Sequence, residues 1–406
     1  MKNEILSKLN DPASLEKLYR SNKRVFAHAF NELYPEIKSA PLAGFWNERL
    51  NSRIGSVSRI ELLLIIAGVI VAGILAKIPA FAGIDEDFFY PRNIGFILFP
   101  VLTAYFAWKN KTRLTTLIIT GIVFAASAIY INLLPKEYSD TLMLACIHLF
   151  LFLWFVTETA FSSDSGPNSR IEFLRFNGDL LIMSGLIVLA GGILTGITLT
   201  LFSFIGLNIE TFYFENIVVF ALPAVPIIGT YLTRNNPNLV GRISPVMARI
   251  FGPLVLVMLT VYLAAIIYLG KDPYNDRDSL MIFNLLLVGV LAIIFFSVSD
   301  SDNDRISGTW VLFLLSVLTI AINCIALSAI LFRISEWGLT PNRTAILGAN
   351  FLVLINLLLV SHNLFKVIRK RAGMDTVRKT ITAYLPVYFI WVGLVAFLFP
   401  LLFGFK

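Results

Sequence analysis

Apolar residues in this chain neither alternate with polar ones nor keep to one face of a helix; they run on without interruption. Residues 62–75 and 285–296 are typical, each a continuous stretch of aliphatic, glycine and phenylalanine positions. Membrane β-strands alternate apolar and polar residues over about ten positions, which these runs do not. A helix needs about 20 mainly apolar residues to cross a hydrocarbon core of roughly 30 Å. The pattern predicts spans near 58–77, 93–108, 114–135, 141–161, 179–206, 217–233, 251–270, 280–299, 308–332, 344–365 and 381–404. The expected fold class is therefore all-α, a polytopic integral membrane protein with about eleven transmembrane helices. The second span is short and is expected to begin inside the preceding loop, around Tyr90 and Pro91.

Residues 1–57 read differently and form a cytoplasmic helical segment ahead of the bundle at 58–406. Asp11 and Pro12 suit an N-cap and first helical position. Ser21 can cap the next helix, with Phe26, Phe30, Leu33 and Tyr34 on one face. Pro35 and Pro41 are expected to break the chain before 42–50. Helices this short make a small core, so the segment is expected to pack on loops or lie in the membrane interface, anchored by Phe45 and Trp46. It contains no short apolar core, so no cleavable signal is expected and the first span must direct insertion.

Composition agrees with the pattern: 57% of the 406 residues are hydrophobic and mean hydropathy is +0.78, far from a soluble domain. The net charge of +7 does not point to nucleic acid, because its distribution has a membrane explanation. Of the thirty-three Lys and Arg residues, all fall outside the predicted spans except Arg59 and Lys77, which sit at the two ends of the first. Twenty-five lie on the side of the N-terminal segment against eight on the other, placing the N-terminus in the cytoplasm and the C-terminus outside. Residues 1–59 and 366–379 carry most of that bias; the loop 300–304 contributes little. Cys146 and Cys324 sit inside spans, which argues against a disulfide between exterior loops.

Candidate chemistry is sparse. No catalytic, metal or nucleotide motif stands out, and three histidines at 28, 148 and 362 are too scattered for a metal site; an enzyme is not expected. His148 and Glu158 share the fourth span but lie about 15 Å apart along the axis and about 80° apart around it. His148 is expected to be a neutral imidazole bonded to a neighbouring helix. Asp179, after Asn177 and Gly178, reads as a helix cap. Gly192 and Gly196, with Gly185 before them, suggest close helix packing, and Pro223 and Pro226 a kink. Ser316, Thr319 and Asn323 form a polar stripe on span nine. On span ten, Asn350 and Ser361 share one face, Asn356 and Asn363 another. These amides either line a ligand site or join helices together with Asn284.

The string from Arg333 to Arg343, Arg-Ile-Ser-Glu-Trp-Gly-Leu-Thr-Pro-Asn-Arg, predicts a tight exterior turn. Gly338 ends one helix, Thr340 caps the next, and Pro341 takes its first turn. Trp337 suits the interface. Two arginines on the outer side call for a partner, either Glu336, the acidic stretch 85–87, or an anionic ligand. This string resembles bacterial membrane proteins of the domain of unknown function (DUF) family 4153, over roughly spans five to ten. The resemblance implies a bacterial inner-membrane location and carries no activity or cofactor.

The leading expectation is a multi-pass protein that transports or binds a small or lipid-like ligand, using no cofactor or metal. Asn323, Asn350 and His148 are its candidate ligand residues, with Arg333 and Arg343 flanking an exterior mouth. The second expectation is an envelope scaffold acting through residues 1–57 and the basic loop 366–379. Membrane lipids are the expected partners, with a protein partner possible through residues 1–57.

Overall fold

A computed structural model describes residues 1–38, 40–51, 59–135, 137–162, 166–235, 252–261, 263–264, 268, 277–299 and 306–405. Every regular element among the described residues is a helix. The chain divides into two units, Met1–Arg59 and Ile60–Lys406.

The first unit holds α1 (Lys2–Ser7), α2 (Pro12–Ser21), α3 (Lys23–Ile37) and α4 (Pro41–Asn51). Asp11 opens α2 by accepting the Ala13 N–H at 3.0 Å. The cap of α3 is Asn22, which accepts from the Val25 N–H at 3.2 Å. Ser21 is not that cap: it closes α2 and donates back to the Leu18 carbonyl. Pro35 does not break the chain either. It sits within α3, in the final turn before Ile37, where its missing N–H removes only one backbone bond. Trp46 is a core residue rather than an interfacial anchor. It is 2% exposed and packs on Tyr19 and Phe26, with ring centroids 5.3 and 5.0 Å away. Phe45 stays on the surface, 59% exposed.

Glu16 ties this unit together, accepting from Arg20 at 2.7 Å and pairing with Arg49 at 2.9 Å. The Arg20 hydrogen bond, followed by the Arg49 charge, holds its carboxyl below the ordinary range. Lys2 does the same for Glu32, and Ser14 for Asp11. A carboxylate depressed on folding stabilises above its unfolded pKa, and that contribution disappears as pH falls through the folded value. Amide protection factors over α2–α4 in the full-length chain are therefore expected to fall as pH drops below about 4. Glu16→Gln should flatten part of that dependence.

The second unit contains α5 (Arg59–Ala76), α6 (Ile78–Ala82), α7 (Glu86–Asn110), α8 (Leu114–Leu133), α9 (Asp140–Phe161) and α10 (Pro167–Phe204). It continues with α11 (Glu210–Asn235), α12 (Gly252–Val261), α13 (Arg277–Ser299), α14 (Ile306–Trp337), α15 (Pro341–Ile368) and α16 (Met374–Leu402). Among the described residues, eight helices are long and apolar enough to cross a membrane: α5, α8, α9, α10, α11, α14, α15 and α16. This is the build of a multi-pass helical membrane protein. The predicted span at 93–108 lies in α7, which starts earlier because Asp85 caps the Phe88 N–H at 3.0 Å. In α12 and α13 the described apolar segments are shorter, Gly252–Val261 and Leu286–Val298. The rest of 251–270 and the loop 300–304 lie outside the described residues.

Two of these helices widen before a proline. A π-helical turn at Phe214–Val218 precedes Pro223 and Pro226, and another at Leu394–Leu398 precedes Pro400. Proline removes one ladder bond and its ring presses on the carbonyl four residues back; a wider turn relieves that crowding.

The close helix approaches fall elsewhere than the sequence suggested. Gly178 lies under Phe296 and Gly348 under Trp391; a Cβ at either would meet ring carbons at 1.9 and 2.1 Å. At Gly185, Gly192 and Gly196 on α10, an added Cβ would meet no described atom within 4 Å. Asp179 is not a cap, because α10 begins at Pro167 and carries Asp179 three turns inside.

Candidate functional site

The polar stripes of spans nine and ten meet as joining contacts. Asn323, on α14, is 0% exposed and donates to the Asn350 carbonyl at 3.0 Å. Asn350, on α15, donates to Asn284 of α13 at 2.8 Å. Asn356 donates to Tyr388 at 3.1 Å and Asn363 to Thr380 at 2.8 Å, both on α16. Ser316 and Thr319 donate to carbonyls of their own helix. Around them Leu315, Ile322, Leu357, Val360 and Ile381 close the core. Asn323 and Asn356 have no accessible surface, and the hydrogen bonds of these amides join α13–α16. Asn323→Leu is expected to cost about 1 kcal/mol, the scale of interhelical hydrogen bonds in membranes. The unfolding midpoint in mixed micelles measures it.

His148 hydrogen-bonds the Leu144 carbonyl at 2.8 Å, so its partner is its own helix and not a neighbour. In the turn between α14 and α15, Gly338 takes φ 76°, a left-handed value that favours glycine. Thr340 accepts the Arg343 N–H at 3.3 Å, and Pro341 starts α15. Arg343 donates to the Trp337 and Gly338 carbonyls at 3.0 and 2.8 Å. Arg333 and Arg343 both lie over the Trp337 ring, 5.5 and 5.6 Å from its centroid. Arg343 thus completes the helix end it follows, satisfying carbonyls that the turn leaves open.

A polar cluster not anticipated from the sequence lies where α5, α7 and α11 meet. Glu61, 5% exposed, accepts from Tyr105 at 2.7 Å, Lys109 at 2.5 Å and Asn235 at 3.1 Å. Beside it, Arg234 stacks on Phe161 at 4.2 Å and on Phe176 at 5.3 Å. Every charge here has a counterpart or an aromatic face, so the cluster fastens three helices. The sequence signal was available: Tyr105 and Lys109 share one face of α7 at i, i+4 spacing, opposite a lone acid inside the first apolar run.

A cavity of about 290 Å³ opens between α8, α9 and α16, near the lower size limit of ligand pockets. Its walls are apolar: Ile119 and Val123 of α8, Phe152 and Phe155 of α9, and Leu385, Pro386 and Phe389 of α16. Phe152 and Phe389 stack with centroids 5.0 Å apart. One end is polar. There Thr159 donates to the Val156 carbonyl at 2.7 Å, so in its 3.2 Å contact with Thr120 it acts as acceptor. Arg170 of α10 reaches the same end. Its Nε lies 3.7 Å from Glu158 Oε1, and its guanidinium donates to the Thr382 carbonyl at 3.3 Å.

The last contact follows from the sequence. Pro386 has no N–H with which to bond Thr382 four residues back, and a bare carbonyl inside a membrane helix needs another donor. Arg170 supplies it. Proline thus both shapes the cavity wall and positions the cation at its end. Of the lining residues Ile119 is 63% exposed, on a helix that also exposes Leu114, Ile118, Ile122 and Ile129. From the sequence Glu158 stood out only through its spacing from His148; Arg170, Thr382 and Pro386 were not read as a group. Among the described residues no group of His, Cys, Asp and Glu could hold a metal ion.

No protein-family model matches the chain, and no curated protein or solved structure matches it.

Proposed function

We propose that this multi-pass membrane protein binds a lipid-like amphiphile in the cavity between α8, α9 and α16, without catalysing a reaction on it. One observation carries the reading: an apolar cavity with a single charged end is lined on one side by α8, whose apolar residues, Ile119 among them, are exposed. An opening on that side would admit a ligand from the bilayer. In this reading the bundle has eleven spans, with the N-terminus cytoplasmic and the C-terminus outside, as the bias of basic residues indicates. The charged end then lies toward the cytoplasmic leaflet, since Arg170 and Thr382 flank cytoplasmic loops. The resemblance to DUF family 4153 adds a bacterial inner membrane as the location.

Native mass spectrometry of protein extracted with its lipids tests the reading. The wild type is expected to retain lipid, and Val123→Trp, which fills the cavity, to lose it while keeping its thermal midpoint. Equal retention by both proteins would overturn the proposal. A second reading, a scaffold acting through the N-terminal unit, is favoured by the exposed Phe45, Val25 and Leu6. It predicts that Phe45→Ser abolishes co-purification of a protein partner and leaves lipid retention unchanged.

A further inference from the structure

We infer that the ligand's head carries both signs of charge, a phosphate and an ammonium, as in a phosphoethanolamine lipid. The inference rests on the cavity-binding reading above and names the head that its charged end selects. Arg170 and Glu158 face each other at 3.7 Å, an ion pair held too far apart to be hydrogen-bonded. Arg170 spends one guanidinium nitrogen on the Thr382 carbonyl, and the guanidinium has five N–H donors in all. That leaves donors in a fork geometry suited to phosphate oxygens. Glu158 is an acceptor only when ionised, and an ammonium offers it three donors. A zwitterionic head inserted between the two replaces one loose pair by two close ones and leaves the site neutral.

The alternatives fit less well. A purely anionic head would bring phosphate to Arg170 and in the same step press it against the Glu158 carboxylate. In surroundings this apolar, like charges repel strongly. A quaternary head, as in phosphocholine, keeps the charge but has no N–H to donate to Glu158. The apolar walls of Phe152, Phe389 and Val123 require an acyl chain next to the head, so the free head alone should not be held.

The test uses full-length protein in detergent, stripped of endogenous lipid and offered four probes separately. These are dioleoyl phosphatidylethanolamine, phosphatidylglycerol and phosphatidylcholine, and water-soluble phosphoethanolamine. Native mass spectrometry is expected to show at least fivefold higher occupancy by the ethanolamine lipid than by the glycerol lipid. The soluble head should not bind. Glu158→Gln should remove the repulsion and raise phosphatidylglycerol occupancy to equal or exceed that of the ethanolamine lipid. Arg170→Gln should lower occupancy by every phospholipid. Equal occupancy by all three lipids in the wild type, or an unchanged preference in Glu158→Gln, would overturn the head assignment while leaving the cavity reading in place. Failure of every lipid to bind would overturn both. Should Arg170→Gln not fold, Glu158→Gln still decides, because it keeps the Arg170–Thr382 contact.

Discussion

Lys109→Met is expected to destabilise the membrane-spanning unit by about 3 kcal/mol, since removing one partner of a buried ion pair leaves the other uncompensated. Glu61, which it would strand, is almost fully buried, so water cannot replace the lost ammonium. Tyr105 and Asn235 would still donate to the carboxylate, which is why the lower end of the usual range applies. Glu61→Leu should cost less, because Lys109 keeps some access to solvent. The double variant Glu61→Leu, Lys109→Met should recover much of the loss, as hydrophobic replacement of a whole buried pair often does. Unfolding midpoints in mixed micelles for the four proteins form a double-mutant cycle. Additive losses would show that Glu61 and Lys109 are not coupled.

Gly348→Ala should produce the second large effect. The new methyl group would overlap the Trp391 ring, whose nearest carbons lie 2.1 Å from where it would sit. A ring held between α15 and α16 cannot yield as the end of a flexible chain would. Overpacking of a well-filled core typically costs about 1–3 kcal/mol, and the upper half of that range is expected here. Trp391→Leu should relieve it. The buried indole N–H of Trp391 has no hydrogen-bond partner among the described residues, so replacing it sacrifices no bond there. The pair Gly348→Ala, Trp391→Leu should therefore be more stable than the sum of the single losses implies. A simple sum would mean that the backbone, rather than the ring, absorbs the added methyl.

Helix positions were readable from the sequence because apolar length is a one-dimensional property. The starts of α8, α9 and α15 fall close to where hydropathy and capping place them. Asp179 shows where local reasoning fails. Asn-Gly-Asp resembles a helix start, yet tertiary packing of Gly178 against Phe296 carries α10 straight through it. Trp46 fails for a similar reason: an aromatic on a short amphipathic helix looks interfacial until Tyr19 and Phe26 close over it. Polar residues within spans were recognisable as interhelical, but one sequence does not say whether two amides face each other or an opening. The cavity was hidden for a further reason. Its charged end is assembled from α9, α10 and α16, and its key contact depends on a hydrogen bond that Pro386 cannot make.

The length of α10 has a consequence for the membrane itself. After Asp179 it is mainly apolar from Leu180 to Phe204, about 38 Å of rise at 1.5 Å per residue. That exceeds a hydrocarbon core of roughly 30 Å, and at Gly185, Gly192 and Gly196 an added Cβ would meet no described atom within 4 Å. Hydrophobic mismatch of this kind is relieved by tilting the helix or by thickening the surrounding bilayer. The protein should therefore respond to acyl-chain length as well as head-group chemistry, and be most stable in thicker membranes.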